Sequence, residues 1–217
     1  MRKILSLILV FAFVLILPLS LTSCFEEVGT GRCEFYADRN IEGREIHFVE
    51  ICVKDYGKMV VLLDATTAPI TVANFLKLVN EGFYNGLTFH RVISNFMIQG
   101  GDPKANGTGG SDEDIFGEFL YNGHSNNISH RRGVISMARG NSYNSASSQF
   151  FICNADSQYS LDGKYAAFGY VVEGMSVVDA ITSATAGYGD SNGTIADKAD
   201  QARIKYIRVL SNYTLAD

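Results

Sequence analysis

Short runs of β-branched and aromatic residues, separated by glycine-rich turns, recur along most of this chain. Such runs are typical of strands, because branched and aromatic side chains pack well on a pleated surface. The predicted strand segments are 46–53, 58–64, parts of 89–102, 133–138, 149–154, 166–172 and 204–210. Only two helices are predicted, one that starts at an N-cap Thr67 and ends at Gly82 and a short one over 177–181. This balance predicts an all-β barrel or sandwich.

The stretch 89–102 carries the most unusual pattern of side chains. Strand alternation places Met97 and Gln99 on one face and Ile98 on the other, so the strand can bury Ile98 and present an apolar and amide surface outside. Arg91 stands close to that surface. An arginine there is either a solvated charge or a functional group, and other segments have to decide between the two.

The N-terminus has the pattern of an export signal. Two basic residues precede an apolar run over 4–17, which is shorter than the roughly 20 residues that a membrane-spanning helix needs. The sequence Leu-Thr-Ser-Cys that ends at Cys24 resembles a bacterial lipobox. We therefore expect residues 1–23 to be removed, Cys24 to carry lipid, 24–45 to form a tether and 46–211 to form the domain. A plain signal peptide or an uncleaved anchor is the alternative.

Composition and cysteine spacing exclude several classes of protein. The chain of 217 residues has a formal net charge of −5, which argues against a nucleic-acid partner. No Cys-x-x-Cys spacing occurs, so neither a zinc site nor thioredoxin-type redox chemistry is indicated. In an extracytoplasmic setting Cys33 and Cys52 are the nearest candidates for a disulfide, but Cys52 and Cys153 both lie in apolar runs that favour simple burial.

Seven segments that occur in one order resemble the cyclophilins, the prolyl peptide-bond isomerases. They are 89–93, 96–102, 107–110, 117–119, 132–138, 144–152 and 161–169. The resemblance extends from about residue 50 to residue 209. It implies a closed eight-stranded antiparallel β-barrel capped by two α-helices, with the active site on an outer face and with no cofactor or metal.

The resemblance also assigns roles to individual residues. It implies that Arg91 is the catalytic arginine and that Gln99 steadies it and binds the substrate backbone. The implied substrate-binding residues, which form the proline pocket and the peptide groove, are Phe96, Met97, Ala138, Arg139, Phe151, Leu161 and Tyr165.

Three positions depart from the family's common pattern. Arg139 stands where many members have asparagine, Tyr159 and Ser160 replace a tryptophan with one extra residue, and Tyr165 replaces a histidine. The missing tryptophan puts binding of cyclosporin in doubt, because its indole N–H is a donor to that ligand. Arg139 is expected to add charge to the groove and to shift the preference for the residue before proline.

The expected function is isomerisation of X-Pro bonds in extracytoplasmic polypeptides by a monomeric, membrane-anchored lipoprotein on the bacterial cell surface or the periplasmic face. One alternative is a non-catalytic chaperone or docking module that uses the same groove. Another is a solute-binding lipoprotein, which only the lipobox suggests. The chain's histidines are expected to be solvated or hydrogen-bonded rather than metal ligands; they are His47, His90, His124 and His130.

Overall fold

The computed structural model describes residues 43–215, and within them eight antiparallel strands close into one barrel. The strands are β1 (Ile46–Val53), β2 (Gly57–Asp64), β3 (Thr88–Ile93), β4 (Met97–Gly100), β5 (Val134–Met137), β6 (Phe150–Cys153), β7 (Ala167–Glu173) and β8 (Ala202–Val209). Their order around the barrel is β1-β2-β7-β5-β6-β4-β3-β8. The predicted fold class is confirmed.

Within residues 43–215 three α-helices accompany the barrel, one more than predicted. They are α1 (Pro69–Asn80), the single turn α2 (Gln158–Leu161) and α3 (Met175–Thr185). Phe75 of α1 is fully buried, and its ring centroid lies 5.5 Å from that of Phe150 and 5.3 Å from that of Phe168. Helix α1 therefore closes one part of the barrel core with an aromatic cluster.

The predicted N-cap at Thr67 is wrong. Helix α1 begins one residue later, after Ala68, and no side chain of the cap residue bonds to its first turn. The hydroxyl of Thr67 instead donates to Asp64 at 3.0 Å. The buried carboxylate of Glu118 accepts from the backbone N–H groups of Ile70 at 3.0 Å and Thr71 at 2.7 Å. A carboxylate is a stronger acceptor than a hydroxyl and is favoured by the helix dipole, so a distant residue caps this helix.

Alternation along the strands separates a core from two outer clusters. Phe150 and Ile152 of β6 lie in the core inside the barrel, whereas Phe151 lies in a separate outer cluster with Met97 and Leu161. This arrangement confirms the predicted alternation in β6, and Ile98 likewise lies in the core opposite Met97. Because side chains alternate along a strand, one set packs in the core and stabilises the fold, whereas the other set lies outside the barrel and is available to form a site.

The first and last strands of the barrel are neighbours. Val49 of β1 is paired with Val209 of β8, and the N–H of Leu210 donates to the carbonyl of Phe48 at 2.8 Å. Beyond β8 the ring of Tyr213 packs 4.7 Å from the ring of Phe48 on the outer surface. The barrel is therefore closed by the two ends of the domain.

Cys52 and Cys153 are both buried, as expected for small apolar side chains. Burial raises the pKa of the Cys153 thiol to about 12, so this thiol stays protonated and unreactive. Cys33 lies outside the described residues, and its pairing with Cys52 stays a prediction. In the part of the chain that the structure covers, no helix has the length and apolar character required to cross a membrane.

Candidate active site

Strands β3 and β4 place Arg91 and Gln99 side by side. The two residues are direct partners in the strand register, and Nη1 of Arg91 donates to Oε1 of Gln99 at 3.0 Å. On its other side, Nε of Arg91 donates to the backbone carbonyl of Asn192 at 2.7 Å. Two anchors from different parts of the chain therefore fix the plane of the guanidinium.

The hydrogen-bond chain continues from Gln99 into the next strand. Nε2 of Gln99 donates to Oε1 of Gln149 at 2.8 Å, and Nε2 of Gln149 donates to the carbonyls of Gly107 at 3.1 Å and Gly109 at 2.7 Å. Gln149 is a site residue that the sequence analysis missed. Its alternation with Phe151, which places both on the outer face of the sheet, is the signal that could have identified it.

The loop after β4 is shaped by a single carboxylate. Asp102 is buried, and its oxygens accept backbone N–H bonds from Lys104 at 2.7 Å, Asn106 at 3.0 Å and Gly107 at 2.6 Å. Burial alone would raise the pKa of Asp102, but these bonds hold it below its usual value. The ionised carboxylate therefore fixes the loop whose carbonyls accept hydrogen bonds from Gln149.

All nine predicted catalytic and substrate-binding residues line one cavity of about 250 Å³. Its apolar wall is made by Phe96, Met97, Ala138, Phe151, Leu161 and Tyr165, with Arg91 and Gln99 beside it and Arg139 at its edge. His90, Gly107 and Thr194 also line it and were not predicted. The cavity is small and combines an apolar wall with several polar groups, which suits a single compact apolar group beside a hydrogen-bonding backbone.

A buried histidine packs behind Phe151 of the cavity wall. The ring of His130 stacks on that of Phe151 with centroids 6.0 Å apart and an interplanar angle of 18°. Its Nδ1 lies 2.8 Å from Oδ1 of Asp162, and its Nε2 lies 3.0 Å from Oγ of Ser136. Burial lowers the pKa of His130, and the bond to Asp162 acts in the opposite direction. A neutral imidazole bonded at both nitrogens therefore holds Phe151 in place.

His90 is the exception to the expectation that the histidines are solvated or satisfied. Its side chain is fully buried, and within residues 43–215 neither ring nitrogen has a hydrogen-bond partner. Burial is the main reason that its pKa is lowered, and the charge of Arg91 adds to this effect whereas Asp102 opposes it. His124, in contrast, places Nε2 2.9 Å from the carbonyl of Thr67.

Arg139 lines the cavity, and its guanidinium is at the same time bonded within the protein. Its Nε donates to the carbonyl of Lys164 at 3.0 Å and its Nη1 to that of Gly140 at 2.9 Å. Its guanidinium carbon lies 4.9 Å from the ring centroid of Tyr165, 5.1 Å from Tyr143 and 5.3 Å from Phe119. The charge is thus held among three aromatic rings.

The other departures occupy different surroundings. Tyr165 is part of the cavity wall, and its ring meets that of Phe151 edge-on at 5.9 Å. Tyr159, near the position of the family's tryptophan, is 95% exposed and does not line the cavity. Cys24, the predicted lipid attachment site, lies outside the described residues.

Comparison with known proteins identifies the family. The family model described as "Cyclophilin type peptidyl-prolyl cis-trans isomerase/CLD" matches residues 48–208. A peptidyl-prolyl cis-trans isomerase of Helicobacter pylori is 47% identical over 116 residues, which cover 52% of this chain and 68% of the relative. The isomerase ppi1 of Schizosaccharomyces pombe is 44% identical over 122 residues, 56% of this chain and 76% of the relative.

Solved structures agree with this assignment. The crystal structure of a Cryptosporidium parvum cyclophilin-type isomerase matches with a TM-score of 0.67 and 29% identity, over 78% of this chain and all of that one. A second structure of that protein, determined in the presence of the dipeptide Ala-Pro, matches with a TM-score of 0.66 and 30% identity, over 76% of this chain and 99% of that one. The chain therefore belongs to the cyclophilin-type peptidyl-prolyl cis-trans isomerases.

Proposed function

We propose that this protein accelerates rotation about X-Pro bonds in polypeptides, with Arg91 as the catalytic group. The observation that carries the proposal is the position of the Arg91 guanidinium, which is fixed by Gln99 and the Asn192 carbonyl in a cavity that has an apolar wall. The cavity holds the proline ring, and the guanidinium faces the peptide bond that precedes it.

The chemistry requires neither a nucleophile nor a general base. A peptide bond resists rotation by ~18–20 kcal/mol because the nitrogen lone pair is shared with the carbonyl. In the twisted transition state the prolyl nitrogen regains its lone pair and can accept a hydrogen bond. A guanidinium N–H near that nitrogen then gains an interaction that the planar ground state does not offer, which is the condition for catalysis by differential binding.

Arg91 has the physical properties that this role requires. Burial lowers its pKa, while Tyr165 and Asp190 act in the opposite direction. A guanidinium nevertheless remains protonated in proteins because its ordinary pKa is so high. An acceleration of about a thousandfold corresponds to ~4 kcal/mol of barrier, which a few preorganised donors in a partly dry site can provide. The anchors at Gln99 and Asn192 supply that preorganisation.

The apolar wall fixes one end of the bond while the other end rotates. Met97, Phe151 and Leu161 are buried, and His130 and Tyr165 brace Phe151 from two directions. These side chains hold the proline ring, and the preceding carbonyl moves toward the open side of the cavity. Gln99 keeps the arginine oriented during this motion and binds the substrate backbone.

We further propose that the protein works outside the cytoplasm as a monomer attached to a membrane through lipid on Cys24. The apolar run over 4–17 and the lipobox-like sequence before Cys24 support this setting. Its clients are then exported polypeptides that contain proline and have not finished folding. Mass spectrometry of the membrane-extracted protein tests the proposal, because an unmodified Cys24 would contradict it.

The catalytic proposal is tested with the full-length chain in a refolding reaction limited by proline isomerisation. Arg91→Ala is expected to lose most of the acceleration and to keep the fold and the affinity for a proline-containing peptide. Arg203→Ala is a control, because that arginine is exposed, its side chain donates to the carbonyl of Gly86 at 3.0 Å, and it does not line the cavity. If Arg91→Ala catalyses as well as the wild type, the mechanism is wrong. If the wild type binds peptides without turnover, the protein is a docking module instead.

A further inference from the structure

Three exposed apolar side chains lie beside the cavity without contributing to it. Leu120 is 62% exposed, Tyr121 59% and Tyr143 42%, and all three are among the seven large apolar side chains that are exposed within residues 43–215. Exposed apolar side chains that cluster on a monomer often mark an interaction site. We call these three residues the Tyr121 surface.

The Tyr121 surface begins where the wall of the cavity ends. The N–H of Tyr121 donates to the carbonyl of Gly163 at 2.9 Å, and Gly163 stands between the wall residues Leu161 and Tyr165. A Cβ built on Gly163 would lie 3.2 Å from Cε1 of Tyr121 and 3.6 Å from Cβ of Leu120. Gly163 has φ +76°. The missing side chain therefore allows both residues to approach the loop that carries the wall.

A second connection runs through Arg139. Its guanidinium lies between the ring of Tyr143, at 5.1 Å, and the ring of Tyr165, at 4.9 Å. The ring of Tyr143 also packs edge-on against the buried Phe119 at 5.3 Å. The guanidinium of Arg139 thus links Tyr143 to Tyr165 of the cavity wall.

The backbone beneath this surface is held rigidly. Nδ2 of Asn122 donates to the carbonyl of Gly117 at 2.8 Å and to Oδ1 of Asn144 at 2.7 Å, which ties the Leu120 segment to the Tyr143 segment. Gly117 also donates to Oδ1 of Asn144 at 3.0 Å. The backbone that carries the three side chains is therefore held in place, which lowers the entropic cost of binding.

We propose that the Tyr121 surface binds apolar side chains of the client polypeptide that flank the proline in the cavity. The inference rests on the proposed function and adds a substrate preference to it. A polypeptide cannot end at its proline ring, and its extended chain advances by about 3.3 Å per residue over the adjoining surface. The Tyr121 surface adjoins the wall and consists of two tyrosines and a leucine, so it favours clients with aromatic or large aliphatic residues within about four positions of the proline. Such residues are exposed in unfolded chains and buried after folding.

The test compares turnover of paired X-Pro peptides by the full-length chain. In each pair a tyrosine or a serine stands at one of the four positions on either side of the proline. The wild type is expected to show kcat/KM about five- to tenfold higher for the tyrosine member at one or more positions, mainly through KM, as expected for one well-packed aromatic contact. The variant Leu120→Ser/Tyr121→Ser is expected to reduce that ratio to near one while turnover of the serine peptides is unchanged. Tyr188→Ser removes an equally exposed tyrosine (61%) from a different segment and should keep the ratio.

The outcomes separate the two proposals. Turnover of the serine peptides tests the catalytic proposal alone, whereas the tyrosine-to-serine ratio tests the surface. A wild type without any aromatic preference, or a preference that persists in the double serine variant, overturns the inference. Sedimentation of the wild type and the double serine variant, alone and with vesicles of neutral phospholipid, completes the test. If the double variant abolishes a dimer, or binding of the protein to vesicles of neutral phospholipid, and leaves the peptide ratio intact, the surface serves a second copy or a lipid surface and the proposal is wrong.

Discussion

The guanidinium carbon of Arg139 lies 4.9 Å from the ring centroid of Tyr165, so two residues that depart from the family's common pattern are in contact with each other. Arg139 also bonds to the carbonyl of Lys164, the residue that immediately precedes Tyr165. The two departures are therefore one altered structural unit. Together they form part of the lining of the cavity that also holds Arg91.

This contact predicts that the two substitutions are energetically coupled. Arg139→Asn and Tyr165→His should each lower kcat/KM, but the double variant should lose less than the sum of the two, because the shared cation–π contact is lost only once. The coupling free energy should be about 1 kcal/mol, a roughly fivefold effect. Arg139→Asn combined with Tyr188→Ser is the control pair and should be additive. Strict additivity of Arg139→Asn and Tyr165→His would show that the two residues act independently.

Gln149 is predicted to position the catalytic pair. Gln149→Ala removes the acceptor for Gln99 and both bonds to the Gly107 and Gly109 carbonyls. We expect kcat to fall about tenfold, consistent with ~1–1.5 kcal/mol for lost hydrogen bonds, with a small change in KM for a short peptide.

Gln149→Glu distinguishes the bond that Gln149 accepts from Gln99 from the bonds that it donates to the loop carbonyls. A glutamate still accepts from Gln99 but cannot donate to the loop carbonyls. If kcat recovers in Gln149→Glu, the bond to Gln99 matters; if it stays low, the anchoring of the loop matters. Full activity in Gln149→Ala would remove Gln149 from the site.

Stability is predicted to fall as the solution becomes mildly acidic. The folded-state pKa values of His90 and His130 are lowered from an ordinary value of 6.5, mainly by burial. The unfolded chain therefore binds more protons than the folded chain below about pH 6.5, and each histidine can cost up to ~1.4 kcal/mol per pH unit there. The lowered pKa values of Asp102 and Asp162 add a further loss only when the pH falls through the range of carboxylate titration.

Urea unfolding at pH 7.5 and pH 5.5 measures this effect. The free energy of unfolding should be smaller at pH 5.5, and His90→Leu should reduce the difference between the two pH values, because a buried leucine has no proton to gain. Equal stability of the wild type at both pH values would contradict the buried neutral state of these histidines.

Glu118 is predicted to stabilise the fold through the start of α1. Its carboxylate accepts two backbone N–H bonds and the hydroxyl of Thr71 at 2.7 Å. Glu118→Gln keeps the shape but loses the charge, and should lower the free energy of unfolding by about 1–2 kcal/mol. Glu113→Gln removes an exposed carboxylate that pairs with Lys77 and should cost much less. Thermal unfolding followed by circular dichroism compares the two, and equal losses would argue against the capping role.

The sequence allowed prediction of those parts of the site that depend on strand alternation. Met97 and Gln99 share a face because strands alternate, and the family resemblance then placed Arg91 beside them. The sequence did not allow prediction of contacts between segments that are distant along the chain. Glu118 bonds to the backbone of Thr71 in α1, which lies 47 residues away along the chain. The sequence around Glu118 and the sequence around Thr71 carry no local signal of this contact. Thr67 was predicted as a cap because its local pattern is favourable, but its hydroxyl donates to Asp64, and the first helix N–H groups donate to the carboxylate of Glu118 instead.

The surroundings of Arg139 are a second example of contacts between distant segments that the sequence does not reveal. Its charge is visible in the sequence, but the rings that surround it come from Phe119, Tyr143 and Tyr165, which only the folded barrel brings together. Arg139 lines the cavity, in agreement with the expected charge at the groove, whereas its expected effect on the residue before proline stays a prediction. Its actual surroundings are a property of three separate loops.

The pairing of β1 with β8 has a consequence for how the protein becomes active during synthesis. The barrel cannot close until β8 has been made, and the Asn192 carbonyl that anchors Arg91 also belongs to the last part of the chain. A nascent chain that already contains Arg91, Gln99 and the entire apolar wall therefore still lacks a fixed guanidinium. Pairing between the two ends of a chain is also slow to form, since it closes the longest loop. Complete anchoring of the Arg91 guanidinium therefore requires a segment that follows the whole apolar wall in the chain.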